Sequence, residues 1–273
     1  MFPRVMWYLP GRHQTMFKNI RKLLLFVEKR VKLNEETLDP NNPRDYIDAF
    51  LIRMEKEKSD PQTEFTLRNL IYSTLQIFVA GSETMSNTLV YSLLIMIKYP
   101  DVCAKVHQEI DRIIGRDRIP KLQDRNEMPY TEAVICEIQR FIDLLPLGIP
   151  RRTTRDIEYR GYNIPKGTNV FPMLSSVLKD PSCFQHPSEF HPQHFLDENG
   201  ELKKNDAFMP LGAGKRNCLG EALVQMELFL FFVTILQNFT LKSLVPVEEL
   251  DITPDVSGLE NLPKPYRIAF IPR

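Results

Sequence analysis

The chain has 273 residues, of which 43% are hydrophobic and 26% charged, the proportions of an ordinary folded protein rather than a disordered or fibrous one. That length suffices for one large domain or two modest ones with a sizeable core. Lys plus Arg and Asp plus Glu number 35 each, so no global field favours nucleic acid or an anionic lipid surface.

The cysteine pattern excludes several kinds of site. The four cysteines lie far apart, at Cys103, Cys136, Cys183 and Cys218. Without a Cys-x-x-Cys pair, a zinc ribbon or a thioredoxin-like site is not expected. Four thiols in a chain this long favour a reducing compartment over a secreted disulfide scaffold.

Neither a leader nor a membrane span is predicted. Residues 1–10 show no charged region followed by an apolar core and a cleavage site. No apolar run reaches the roughly 18 residues of a membrane span. The longest such run, Leu228 to Leu236, is predicted to be a buried helix.

Hydrophobic periodicity and helix-ending signals predict a mainly helical first half. Helices are expected at 18–32, 44–58, 65–98, 102–114, 129–142 and 219–237. Pro43 is expected in the first turn of the second helix, and Asp101 near the start of the fourth. Residues 157–164, 168–174 and 239–273 favour short strands, while 180–217 is rich in proline and has little periodicity. The predicted fold class is therefore mainly α with small β-sheets.

Residues 208–221, Phe-Met-Pro-Leu-Gly-Ala-Gly-Lys-Arg-Asn-Cys-Leu-Gly-Glu, carry the strongest chemical signal. Gly214 and Gly220 bracket Cys218 directly before an apolar helix. Glycine permits positive φ and lets a backbone approach a flat ligand closely, and a helix N-terminus favours the thiolate form of a cysteine. Arg216 adds positive charge for that thiolate or for a ligand carboxylate. A single cysteine is most often only a buried thiol, but this setting favours a ligand role.

The segment resembles the cysteine-ligand loop of the cytochrome P-450 superfamily, Phe-x-x-Gly-x-Arg-x-Cys-x-Gly. Gly214, Arg216, Cys218 and Gly220 match it, and Leu211 stands where the pattern has an aromatic residue. The resemblance implies that Cys218 is the axial ligand of haem iron. Residues 43–273 resemble the family in order and spacing, and the runs 140–146 and 195–200 are most similar to its vertebrate microsomal branch, which acts on drugs and fatty acids.

A second segment, Ala80-Gly81-Ser82-Glu83-Thr84, lies inside the third predicted helix. Gly81 and Thr84 share a helical face, and a threonine hydroxyl there can bond a backbone carbonyl and open a local bulge. Alone, such residues mostly reflect packing. The segment resembles the superfamily's oxygen-binding motif, which implies that Thr84 organises protons and water and that Glu83 is its acidic neighbour.

A third motif is Glu137-x-x-Arg140. Residues three apart on a helix can pair, although most such pairs are solvated and worth little. The motif resembles the superfamily's structural Glu-x-x-Arg pair, whose third member here is His194, within the proline-rich run 187–195. An alternative metal site formed by His186, His191 and His194 is disfavoured, because the run lacks helical spacing.

The resemblance implies a haem-thiolate monooxygenase that inserts one oxygen atom from O2 into an apolar drug, fatty acid or steroid-like substrate. The implied cofactor is haem b, with NADPH acting indirectly through cytochrome P-450 reductase and with cytochrome b5 as an optional further partner. Arg151 and Arg216 are implied propionate partners. The implied substrate contacts are Ala80, Leu145, Ile149 and Leu259. No Gly-x-Gly-x-x-Gly fingerprint or P-loop indicates that the chain binds nucleotide itself.

Residues 1–273 are expected to form part of a single haem-binding P-450 domain, its C-terminal part, without the N-terminal half and membrane anchor of the family. The full-length parent is expected at the cytoplasmic face of the endoplasmic reticulum membrane. Two alternatives stay open at this point. Beside monooxygenation, the first alternative is a catalytically silent form that binds haem weakly or acts only as a partner of the reductase. The second is a thiolate-haem protein that rearranges peroxides. Thr84 argues against the second, because rearrangement needs no proton delivery to dioxygen.

Overall fold

The structure, a computed structural model, describes residues 8–273. The first seven residues of the stretch 1–10 lie outside this range, so the absence of a leader there stays a prediction. The chain divides into two compact units, Met1–Ser82 and Glu83–Arg273. The expectation of one haem-binding domain over 1–273 also stays a prediction.

Helices dominate the described residues, which confirms the mainly α class. In chain order they are α1 (Arg12–Glu36), α2 (Tyr46–Lys56), α3 (Leu67–Lys98), α4 (Pro100–Ile113), α5 (Pro129–Ile142), α6 (Leu174–Leu178) and α7 (Glu221–Asn238). α5 has the predicted bounds, whereas α1 is longer than predicted at both ends. The short α6 was not predicted, because its first residue was assigned to a strand.

Two helix starts were predicted wrongly because the capping residue was misidentified. α2 begins after Asp45, whose carboxylate accepts the N–H of Asp48 at 3.0 Å, so Pro43 precedes the helix instead of opening it. α4 has Pro100 in its first turn, where the missing proline N–H costs no hydrogen bond. Asp101 therefore lies inside that helix rather than at its cap.

Each unit has its own apolar core. In the first unit the buried side chains come from α1, α2 and the beginning of α3: Val27, Val31, Ile47, Leu51 and Leu70. In the second unit they come from the end of α3 and from α4, α5 and α7, and include Ile95, Val106, Ile110, Ile138, Phe229 and Val233. Close-packed interiors of this kind fix the relative positions of the helices within each unit.

The described strands form four two-stranded antiparallel sheets. The pairs are β1 (Arg151–Arg152) with β4 (Asn169–Val170), β2 (Ile157–Tyr159) with β3 (Tyr162–Ile164), β5 (Phe239–Ser243) with β8 (Ile268–Pro272), and β6 (Pro254–Ser257) with β7 (Asn261–Pro263). The predicted run 157–164 is thus a hairpin rather than one strand. It turns at Arg160 and Gly161, both with positive φ.

The segment 180–217 has little regular structure, as its prolines predicted. It contains short 3-10 turns at Pro192–Phe195 and Gly214–Arg216.

Within residues 8–273, α7 is the one helix long and apolar enough to cross a membrane by length and composition. A buried core helix passes the same test. Phe229, Phe232 and Leu236 of α7 are buried in the core of the second unit, so this finding is weak evidence for a span.

Candidate functional site

Cys218 lies at the end of a tight loop just before α7. Its N–H donates to the Leu211 carbonyl at 2.8 Å, which closes the loop. Gly212 and Gly214 inside it have φ of +80° and +73°, a left-handed conformation that glycine adopts without steric cost. The loop geometry therefore explains two of its glycines and fixes where the thiol is presented.

The Cys218 thiol is half-buried, and two leucines close to it in sequence are exposed. α7 begins at Glu221 rather than at the predicted residue 219, with Gly220 as its N-cap. A Cβ built on Gly220 would lie 4.0 Å from the Cys218 Sγ. The neighbouring side chains of Leu219 and Leu223 are 91% and 52% exposed. A half-buried thiol beside exposed leucines fits a flat apolar ligand bound through sulfur.

The other three cysteines are less suited to this role. Burial raises the pKa of Cys103 to about 11, and burial followed by the nearby Glu132 carboxylate raises the pKa of Cys136 further. Both therefore remain thiols at neutral pH. Cys183 is exposed, but no glycine flanks it in sequence.

The two predicted propionate partners meet at the Cys218 loop. The Nη2 of Arg151 donates to the carbonyl of Arg216 at 2.7 Å, in an exposed contact. This hydrogen bond ties β1 to the 3-10 turn Gly214–Arg216. The Arg151 guanidinium therefore lies beside the Cys218 loop, where a ligand carboxylate could pair with it.

Glu137 and Arg140 form a fully buried ion pair on α5, with 0% exposure of both side chains. The Arg140 Nε and Nη2 each donate to one Glu137 carboxylate oxygen at 2.7 Å. Arg140 also donates to the backbone carbonyls of Leu178, Pro187 and Glu189 at 2.8–3.0 Å. One side chain thus joins α5 to the end of α6 and to the proline-rich run.

His194 lies in the same network. Its Nδ1 is 3.1 Å from a Glu137 carboxylate oxygen, and its Nε2 contacts the Gln185 carbonyl. Both ring nitrogens are therefore engaged within the protein. In the part of the chain that the structure describes, no group of three or more His, Cys, Asp or Glu side chains is placed to hold a metal ion.

The Ala80–Thr84 segment lies on α3, which continues as regular α-helix through it. The expected local bulge is therefore not present. The Thr88 hydroxyl donates to the Thr84 carbonyl at 2.8 Å, so that carbonyl already accepts a side-chain hydrogen bond from within the helix. A Cβ on Gly81 would meet nothing within 4 Å among the described residues, so packing inside the chain does not require glycine here.

Two of the predicted substrate elements are held together in the second unit. The Asn261 N–H donates to the Leu144 carbonyl at 2.9 Å, which joins the hairpin that carries Leu259 to the loop that carries Leu145 and Ile149. Ile149 and Leu259 are 48% and 57% exposed, as expected of side chains available to an apolar ligand. Ala80 belongs to the first unit, so the structure does not relate it to these residues.

Asn261, which is only 5% exposed, was not predicted from the sequence as a residue of the site. Its Nδ2 donates to the Asp143 carbonyl at 2.7 Å, and its Oδ1 accepts from the Ser257 hydroxyl at 2.7 Å. The sequence signal was an asparagine beside a glycine-containing turn between two short strands, a common site for side-chain hydrogen bonds to backbone.

Comparison with known proteins identifies the family of the chain. The sequence matches the family model described as Cytochrome P450 over residues 1–270. The chain belongs to the cytochrome P450 family. This confirms the resemblance inferred from residues 208–221.

The chain is similar to several curated P450 proteins along its whole length. Cytochrome P450 2A11 of Oryctolagus cuniculus is 56% identical, Cytochrome P450 2G1 of Rattus norvegicus 53%, and Cytochrome P450 2A13 of Homo sapiens 54%. Each alignment covers 100% of this chain and 55% of the relative. The chain therefore spans about half the length of the curated P450 proteins it matches.

Proposed function

We propose that this chain is the haem-binding part of a monooxygenase that inserts one oxygen atom from O2 into an apolar organic substrate. Cys218 would hold the iron of haem b through its sulfur. The observation that supports this best is the loop closed by the Cys218 N–H and the Leu211 carbonyl, 2.8 Å apart. It presents a half-buried thiol beside exposed leucines at the start of α7.

The residues present fit a haem. Leu219 and Leu223 offer apolar surface to a flat macrocycle, and the open space at Gly214 lets the ring approach the backbone. Arg151 and Arg216 would hold the propionates. When bound, haem supplies the activation of dioxygen, and ligation by thiolate favours O–O cleavage. The chain's own part is to hold the ring, exclude water and position protons.

In this proposal, two residues of α3 position the protons that the reaction needs. Thr84 and its acidic neighbour Glu83 would position water and protons for the reaction. Glu137, Arg140 and His194 would act only structurally, by holding α5 against the proline-rich run. Ala80, Leu145, Ile149 and Leu259 would contact an apolar substrate such as a drug, fatty acid or steroid-like molecule.

The proposed reaction consumes electrons, so the chain needs an electron donor as a partner. NADPH would supply them through cytochrome P-450 reductase, with cytochrome b5 as a further donor. The proposed location is the cytoplasmic face of the endoplasmic reticulum membrane, where such a reductase and apolar substrates meet.

The spectrum of the carbon monoxide complex tests the ligand assignment. We expect the purified chain, reconstituted with haem and reduced, to show the red-shifted carbon monoxide band of a thiolate-bound haem. Cys218→Ala should abolish that band, whereas the matched control Cys183→Ala, at an exposed cysteine, should retain it. A band that survives Cys218→Ala would refute the assignment.

Oxidation of a fluorogenic ether in the presence of reductase separates this function from the alternatives. Product formation that depends on Cys218 supports monooxygenation. A haem-loaded chain that forms no product supports a catalytically silent haem or reductase binder. Conversion of an organic peroxide without reductase supports peroxide rearrangement.

A further inference from the structure

The end of α5 presents two buried carbonyl groups that the helix itself leaves without a donor. The last carbonyls of an α-helix have no partner within the helix. α5 ends at Ile142, and Asp143 after it has a left-handed φ of +47°. Both residues are buried, with 6% and 2% exposure. Because buried backbone carbonyls need a hydrogen-bond donor, another segment of the chain has to supply one.

Asn261, 118 positions further along the chain than Asp143, is that donor. Its Nδ2 donates to the Asp143 carbonyl at 2.7 Å and to the Ile142 carbonyl at 3.4 Å. Its backbone N–H donates to the Leu144 carbonyl at 2.9 Å, so three consecutive carbonyls bond to one residue. The Ser257 hydroxyl donates to the Asn261 Oδ1 at 2.7 Å, which fixes the orientation of the amide.

These bonds hold the hairpin of β6 and β7 against the loop after α5. Leu259, in the turn of the hairpin, lies two residues before Asn261, and Leu145 lies in the loop next to the carbonyl that accepts the Asn261 N–H. The same turn also contacts α3, where the Asn87 Nδ2 donates to the Glu260 Oε2 at 3.3 Å, a longer bond. Asn261 is only 5% exposed, so its bonds are shielded from water and contribute more than exposed ones do. Asn261 therefore fixes the backbone of one proposed substrate contact relative to another.

We propose that Asn261 is a positioning residue that sets the spacing between the Leu259 turn and the loop 145–149, and with it the width of the apolar molecule that fits between them. This inference rests on the proposed function, in which Leu145, Ile149 and Leu259 contact the substrate. Asn261 itself is buried and touches neither haem nor substrate in this account. Without its donor, the hairpin is free to move away from the loop, and a wider molecule fits.

Amide hydrogen exchange in the purified chain tests this connection without haem or turnover. Asn261→Asp has the same size and still accepts from Ser257, but at neutral pH it has no hydrogen to donate to the carbonyls at the end of α5. The amides of residue 261 and Gly258 should exchange roughly two- to tenfold faster in it, as the loss of one hydrogen bond predicts. Asn163→Ala, at an exposed position of β3, is the matched control and should leave both rates as in the wild type. Unchanged exchange in Asn261→Asp overturns the proposal.

Binding of two apolar probes of different width to the haem-loaded chain tests the effect on the substrate site. The dissociation constants of naphthalene and pyrene are measured from the change in haem absorbance. In Asn261→Asp, the ratio of the pyrene constant to the naphthalene constant should fall roughly two- to tenfold, because the site widens. Ser257→Ala, which keeps the donor of Asn261, should lower the ratio less. A ratio that stays as in the wild type, even where both probes bind more weakly, indicates a structural role only and overturns the positioning claim.

The two assays separate failure of this inference from failure of the proposed function. If the haem-loaded wild type binds neither probe, the proposed function fails, while amide exchange still decides whether Asn261 holds the hairpin against the loop. Circular dichroism shows whether each variant is folded. Should Asn261→Asp not fold, Ser257→Ala takes its place, since it only frees the amide to rotate. The same two changes are then expected to a smaller extent, and the absence of both overturns the proposal.

Discussion

Replacing Glu137 with glutamine should destabilise the second unit by about 3–5 kcal/mol, the usual cost of leaving one member of a buried ion pair unpaired. The substitution preserves volume, so the loss comes from charge and hydrogen bonds rather than from a cavity. Glu137 accepts two hydrogen bonds from Arg140 at 2.7 Å and one from the His191 N–H at 2.8 Å. Glutamine keeps one acceptor oxygen but presents an NH2 donor to the second Arg140 donor, so one hydrogen bond to a charged group, worth roughly 1.5–3 kcal/mol, is lost. Arg140 also loses its buried counter-charge, and the two losses together account for the predicted range.

Urea unfolding followed by far-UV circular dichroism measures this effect, with the free energy of unfolding extrapolated linearly to water. Asp206→Ala is the matched control, because it removes an ion pair with Lys204 in the same unit whose two side chains are both 88% exposed. The control should unfold like the wild type. Arg140→Lys should fall between the two, since it keeps the charge but loses the bidentate geometry. A Glu137→Gln chain that unfolds at the same urea concentration as the wild type would refute the reasoning.

Three further predictions follow from the described contacts. Glu260→Gln should stabilise the chain, relative to the wild type, increasingly as pH rises. The folded pKa of Glu260 exceeds its unfolded pKa, so the wild type loses the stability supplied by the bound proton as pH rises through that window. Urea unfolding at pH 4 and pH 8 checks this, and an equal change in the free energy of unfolding at both pH values would contradict it. Gly81→Ala should raise the free energy of unfolding by about 1 kcal/mol, since its Cβ meets open space. Gly212→Ala should lower it by about 1–2 kcal/mol, because alanine is strained at φ +80°. Urea unfolding would contradict this if both variants changed the free energy in the same direction. Asn261→Ala should cost about 1–3 kcal/mol by leaving buried carbonyls without a donor. Faster exchange of the amide hydrogens of residue 261 and Gly258, which donate to the Leu144 and Glu260 carbonyls, should accompany it.

The long helices were accessible from sequence because their apolar residues recur with helical period and prolines mark their ends. α5, for instance, lies between Pro129 and the left-handed residue Asp143. Its bounds were predicted correctly. The start of α2 was not, because Pro43 and Asp45 both signal a helix start and only the hydrogen bond to the Asp48 N–H distinguishes them.

The Cys218 loop was also accessible from sequence, since its glycines and arginine follow a fixed spacing. What the sequence did not predict were contacts between distant segments. The hydrogen bond from Asn261 to Leu144 joins residues 117 positions apart, and that from Asn87 to Glu260 joins residues 173 apart. No local pattern encodes such pairs, because they depend on how the hairpin and helices pack.

The proposed function depends on a bond between the sulfur of Cys218 and haem iron. X-ray absorption at the iron edge of the haem-reconstituted chain tests it most directly. A sulfur neighbour should be present in the wild type and in Cys183→Ala, and absent in Cys218→Ala. A wild-type spectrum with only nitrogen or oxygen neighbours would contradict the account.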